Sequence, residues 1–149
     1  MYNNDRNAKL VLKYAEKDIR KLLSTKVEIK SNDDYGYNEN IENRYIVIEI
    51  ATKSKIASFS MVSLPGCCGV CVSHYSRIAD KFQGKGLGTL LCGIRKDIAK
   101  TMRYSCLLCT DVDDNLPQQR ILDRHGWKKV HNFKNIRTGS TVNINIVDL

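Results

Sequence analysis

Three glycines, Gly84, Gly86 and Gly88, stand where one sequence pattern gives way to another. Before them, residues 73–79 read as a strand; after them, Thr89-Leu90-Leu91-Cys92-Gly93-Ile94 reads as the opening of a helix. A chain with this junction must turn tightly from a strand directly into a helix. Glycine lets a backbone approach a bound group closely and adopt left-handed conformations. A helix start points free N–H groups outward, and its dipole adds positive potential there. Together these features make a site for phosphate oxygens, and Lys85 sets a cation beside it. Glycine at such a junction also serves tight packing alone, so the stretch by itself leaves both readings open. No Gly-Lys-Ser/Thr ending follows, which excludes the nucleoside triphosphate loop. No repeated strand–helix units with an acidic ribose ligand follow, which excludes a dinucleotide-binding domain.

Along the chain, Leu12, Ala15, Ile19 and Leu22 recur at helical spacing within residues 8–23. Val27-Glu28-Ile29 alternates as a short strand, and residues 31–43, rich in Asn, Asp, Gly and Tyr, read as a loop. Residues 44–51 and 55–64 form a hairpin around Thr52-Lys53-Ser54, and Pro65-Gly66 breaks its second strand. A third strand spans 70–79. Past the glycines come a helix from Leu87 to about Met102, a strand over 105–110 and an acidic turn, Asp111-Val112-Asp113-Asp114. Pro117 suits the first turn of a short helix that ends near His125 and is stopped by Gly126. Residues 127–133 and 142–147 read as an antiparallel pair.

Gln83, Gly86 and Gly88 fit a Gln/Arg-x-x-Gly-x-Gly/Ala pattern, and Asn115 is followed by Asp123-Arg124-His125-Gly126-Trp127. In this order, with an apolar strand between them, the two elements resemble those of the GNAT acetyltransferase superfamily. The first resembles its pyrophosphate loop. The second resembles its Asn … Tyr-Glu-Lys-Leu-Gly-Phe block, with Gly126-Trp127 in place of Gly-Phe. The resemblance covers roughly residues 44–149. It implies a fold of class α/β (α+β), with a mixed, mostly antiparallel central sheet flanked by helices, in one GNAT-like domain over 1–149. The N-terminal part is atypical. The family opens with a strand and two helices, whereas here a helix comes first. Either the first strand is very short or Val27-Glu28-Ile29 takes its place.

The resemblance further implies acetyl-coenzyme A as donor, no metal, and direct attack by an amine in a ternary complex. No cysteine stands where an acyl-enzyme would need one. The acceptor would be an amine-bearing small molecule, or a protein lysine or N-terminus. Backbone N–H groups of Gln83, Gly84, Lys85, Gly86, Leu87, Gly88 and Thr89 would hold the coenzyme's phosphates. The main-chain N–H of Ile78, with Ala79 beside it, would polarise the thioester carbonyl, and Asn115 would contact the pantetheine arm.

The attacking amine must lose a proton. His74 is the first candidate base: histidine titrates near 6.5 when unperturbed. A regular strand also puts residues four apart, such as His74 and Ile78, on one face. A half-exposed strand histidine is the plain alternative. Glu49 and Asp111 are rival bases, or binders of a cationic acceptor. At Leu122 the family often has a tyrosine that protonates the leaving thiolate, and leucine cannot do this. A thiol leaves without an acid more easily than an alcohol, so Leu122→Tyr is expected to leave turnover unchanged or modestly raised. The departure also admits a decayed acyl-coenzyme A-binding or protein-interaction domain.

The net charge of +8 attracts polyanions, among them coenzyme A and nucleic acid. No Arg/aromatic cluster accompanies it, so nucleic acid is not expected, although an acetyltransferase acting on aminoacyl-tRNA remains a rival reading. Residues 31–43 would flank the acceptor in the family. Their acids, Asp33, Asp34, Glu39 and Glu42, suit a cationic acceptor or a solvated loop. Among the six cysteines, Cys67, Cys68 and Cys71 near His74 could suggest zinc, but no second Cys/His pair completes a site. No run suits a membrane span and no signal-peptide core is visible, so a cytoplasmic protein is expected. A dimer is compatible with the sequence.

Overall fold

The computed structural model describes residues 4–31 and 43–149. The acidic stretch expected as an acceptor-flanking loop falls almost wholly outside them.

Helix α1 (Asn4–Leu23) buries Ala15 and Ile19. Strands β1 (Val27–Ser31), β2 (Asn43–Glu49), β3 (Lys55–Leu64) and β4 (Cys67–Ile78) follow. Each pairs antiparallel with the next. Val27-Glu28-Ile29 therefore does form the first strand, at the sheet edge and after a helix. Leu64 pairs with Cys67, so Pro65-Gly66 does not end the sheet there but turns it. Gly66 has φ +76°, and Pro followed by such a glycine is the central pair of a type II turn. That hairpin extends β4 back to Cys67, three residues earlier than residue 70, the start read from the sequence.

A single 3-10 turn, Asp80–Phe82, leads to α2 (Leu87–Thr101), then β5 (Cys106–Val112), α3 (Leu116–Arg124), β6 (Lys128–Lys134) and β7 (Thr141–Asp148). The seven strands lie in the order β1-β2-β3-β4-β5-β7-β6. All neighbours are antiparallel except β4 and β5. Both β4–α2–β5 and β5–α3–β6 are crossovers between parallel strands and step the same way across the sheet. Right-handed crossovers place both helices on one face. A β-carbon on Gly88 of α2 would lie 3.0 Å from Ile121 Cδ1 of α3, as that placement requires. Helix α1 packs on α2. Ile19, Val47, Phe59, Met61, Leu91, Ile98 and Leu107 fill the core.

Strand β7 runs against its sequence pattern. Alternation in Val142-Asn143-Ile144-Asn145-Ile146 would turn the aliphatic residues inward. Instead Asn143 and Asn145 are buried, at 1% and 6% exposure, and Val142, Ile144 and Ile146 are half-buried.

Candidate functional site

Strands β4 and β5 pair only at Val70–Cys106, Cys71–Leu107 and Val72–Leu108. Beyond these, β4 runs on to Ile78 beside β3, and β5 to Val112 beside β7. The two strands part, and a wedge opens between them. Its cause is local. Ser58 and Ser60 on β3 pair with Arg77 and His74, so β4 carries one extra residue over that step. Tyr75 takes it up at φ +50°, a left-handed conformation that costs a tyrosine about 1–2 kcal/mol. A bulge bends and twists its strand, and this one turns β4 away from β5.

The Ala79 N–H donates to Ile56 O on β3 at 2.8 Å. Extended backbone alternates, so the N–H groups of Ile78 and Ser76 face the wedge. The Ile78 N–H is thus directed toward the wedge, whereas the Ala79 N–H is engaged in the sheet. Ser76 was not legible from sequence, because its direction depends on the bulge. The Gln83 N–H is also engaged, on Asp80 O at 3.1 Å. Its side chain donates to Ile78 O at 3.0 Å and Asp80 Oδ1 at 3.1 Å, bracing the loop against β4.

The glycine loop caps the wedge mouth. Gly84 and Gly86 have φ +71° and +84°. Gly86 is the N-cap of α2 and offers no side chain, and the first turn contains no acid. The N–H groups of Leu87, Gly88 and Thr89 have no intrahelical acceptor, and no acid of that turn offsets the positive end of the dipole. Lys81 and Lys85 lie over the Phe82 ring, 4.7 and 5.5 Å from its centroid. The side chain of Leu87 belongs to the core, and Gly88 is also the point where α2 touches α3. Asn115 caps α3: its Oδ1 accepts from the Gln118 N–H at 3.3 Å, which leaves its amide nitrogen to donate elsewhere.

The three candidate bases do not converge. Ser73 Oγ accepts from Arg95 Nη1 of α2 at 3.1 Å, so Ser73 lies on the helix face and His74 on the opposite one. The Ile78 side chain is on the helix face, close to Gly88. His74 and Ile78 therefore do not share a face, because the bulge breaks the count of two. His74 lies half-buried on the face opposite the helices, beside the buried Ser60, with its Nε2 enclosed and its ring 4.5 Å from that of Tyr75.

Glu49 braces the β2–β3 turn. It accepts from Thr52 Oγ1 and, at 3.1 Å, from Thr25 Oγ1, and it lies 3.8 Å from Lys81 Nζ. The Thr52 bond, aided by Thr25 and Lys81, holds its carboxyl below the usual glutamate range against partial desolvation. A carboxylate so held is a weaker base. Asp111 lies under the helices at 8% exposure, with Oδ1 accepting from Asn145 Nδ2 at 2.9 Å. Asn143 Nδ2 donates to Asp113 Oδ1 at 3.2 Å. These asparagines were missed because strand alternation reads them as outward.

Cys106 and Cys109 point to opposite faces of β5, and burial pushes the Cys71 and Cys109 thiols up to about 12. Such thiols are poor nucleophiles. Among the described residues no group of three metal-ligating side chains occurs, and no helix is long and apolar enough to cross a membrane. A cavity of about 330 Å³ lies between α1 and α2 and touches none of these residues.

Leu122 is a core residue at 2% exposure, which changes the expectation for Leu122→Tyr. The larger, hydroxylated ring overpacks the site and is expected to destabilise the fold by about 1–3 kcal/mol. A thermal melt checks this; an unchanged Tm would show that the core accommodates the ring.

No protein-family model matches the chain, and no curated protein sequence matches it. Solved structures do. A GNAT-family acetyltransferase from Elizabethkingia anophelis with acetyl-CoA bound superposes with TM-score 0.67 at 14% identity, over 83% of this chain and 98% of that one. A spermidine/spermine N-acetyltransferase from Vibrio cholerae gives 0.67 at 12% identity, over 85% and 94%. A GNAT-family acetyltransferase from Bacillus anthracis gives 0.61 at 14% identity, over 70% of this chain, which spans 65% of that one. The chain is thus similar to these enzymes in architecture, and its sheet and three helices match the GNAT fold.

Proposed function

We propose that this chain, which has the fold of the GNAT acetyltransferases, transfers an acetyl group from acetyl-coenzyme A to a primary amine. The observation that carries the reading is the wedge between β4 and β5 with a bare, glycine-capped helix start at its mouth. The N–H groups of Gly84 to Thr89 suit phosphate oxygens. The Ser76 and Ile78 N–H groups line one edge of the wedge, where they pair with an extended polar arm and stabilise an oxyanion. When bound, acetyl-coenzyme A supplies the activated acetyl group and a thiol leaving group. Its bound form in a structural neighbour supports this choice of donor.

The residues of this chain then have separate tasks. Helices α2 and α3 meet over one side of the wedge, where Gly88 approaches Ile121. The amine enters from the other side, where His74 takes its proton. Asp111 lies on the roofed side, engaged with Asn145, and Glu49 serves the turn. The spermidine/spermine enzyme among the neighbours fits an amine acceptor. Leu122 itself supplies no acid for the leaving thiol, which also favours a second reading, a coenzyme-binding domain without turnover.

Acetyl-coenzyme A is expected to raise Tm, by an amount equivalent to about 2.7 kcal/mol at a hundredfold excess over Kd. Free thiol is expected to appear with at least one member of a panel of amines and peptides. Absence of binding in calorimetry would refute both readings. Binding without thiol release across the panel would leave the binding domain.

A further inference from the structure

We infer that Lys55 and Arg77 form an oxyanion subsite beside the wedge, suited to a phosphate or carboxylate. The cations in and just before the glycine loop are engaged: Lys81 with Glu49 and Phe82, and Lys85 with Phe82. Lys55 and Arg77 make no ion pair among the described residues. Both line one cavity of about 300 Å³, with Ala79 and Asp80. Asp80, the single acid of that lining, already accepts from Gln83 Nε2 at 3.1 Å. Two unpaired cations thus outweigh the one carboxylate.

Strand ends frame the cavity. Lys55 opens β3, and Arg77 pairs with Ser58 near the end of β4. Ser58 and Ser60 are two residues apart on β3, so their partners Arg77 and His74 share the face opposite the helices. An anion held by Arg77 therefore lies on the same side as the proposed base. The planar guanidinium matches two oxygens of a phosphate or carboxylate at once, and the lysine adds a point charge. Two sources carry this chemistry: the 3′-phosphate of the coenzyme, or an anionic group on the acceptor amine. The subsite rests on the charges and the cavity; its assignment to either source rests on the acetyltransferase reading.

Titration of inorganic phosphate into the full chain, followed by the backbone amide shifts of Ala79 and Asp80, tests the subsite without turnover. Saturable shifts are expected, with binding at least about tenfold weaker in a Lys55→Ala/Arg77→Ala double variant and weaker at high salt. Both side chains are exposed, so Tm should hold. Repeating the titration with saturating coenzyme A and with its 3′-dephospho form separates the sources. Blocking by coenzyme A alone assigns the subsite to the donor, and phosphate binding that persists under both assigns it to the acceptor. Blocking by both forms would mean that phosphate had bound at the glycine loop, and would overturn the inference. So would silent Ala79 and Asp80 amides, or a double variant that binds phosphate like the original. Failure of coenzyme A to bind in calorimetry would count against the donor reading and leave the phosphate result standing.

Discussion

Gly86→Glu is expected to weaken acetyl-coenzyme A binding by at least about a hundredfold. Gly86 holds φ +84°, where a side chain costs about 1–2 kcal/mol. The new carboxylate also sits at the helix start that would receive phosphate. Two like charges about 4 Å apart near a protein surface repel by about 4 kcal/mol. Together these exceed the roughly 2.7 kcal/mol that corresponds to a hundredfold. Gly86→Ala separates the contributions: its β-carbon would meet Leu22 Cδ1 at an ordinary 3.9 Å, so only the backbone strain remains. About tenfold weaker binding is expected there. Calorimetry reads both variants, with circular dichroism confirming that each is folded. Retention of affinity within a few-fold in Gly86→Glu would remove the loop from the coenzyme site.

His74→Ala is expected to lower turnover by about a hundredfold or more, with the coenzyme Kd unchanged. His74 is half-buried on the face of β4 opposite the helices, with its Nε2 enclosed, whereas Asp111 is buried beneath the helices and Glu49 is held in its turn by Thr25, Thr52 and Lys81. A pre-steady-state assay of thiol release, with product release excluded as the slow step, is the measurement. Turnover within a few-fold of the original would shift the role to Asp111, whose Oδ2 has no hydrogen-bond partner among the described residues.

The order of strands and helices was legible because local signals coincide in this chain. Alternation in β3, the glycines before α2, and Pro117 and Gly126 around α3 each mark a boundary where hydrogen bonding later places it. Those signals are short-range, and so is what they convey. The bulge at Tyr75 is set by pairing to β3 and by the departure from β5, and no residue type announces it. With the bulge unseen, His74 was counted onto the face of Ile78 and Ser76 was passed over. Burial of Asn143 and Asn145 likewise depends on what lies above β7 and not on its own pattern. Gln83 and Asn115 stand out through the family resemblance, and their bonds to Ile78 and Gln118 give each a structural task.

The parting of β4 from β5 bears on what the molecule must refuse as well as on what it accepts. Unpaired strand edges recruit foreign strands, and soluble proteins ordinarily blunt or cover them. Here two such edges lie inside the sheet and face each other, converging on a vertex at Val72 and Leu108. A polypeptide entering that angle would have to pair with both edges at once while its own side chains met the vertex below and α2 and α3 above. A slender arm with amides but no branching side chains meets no such obstacle. If the wedge holds the arm of the proposed coenzyme, the angle between the two strands would act as a filter for cross-section, admitting a thin ligand where an aggregating neighbour would not fit.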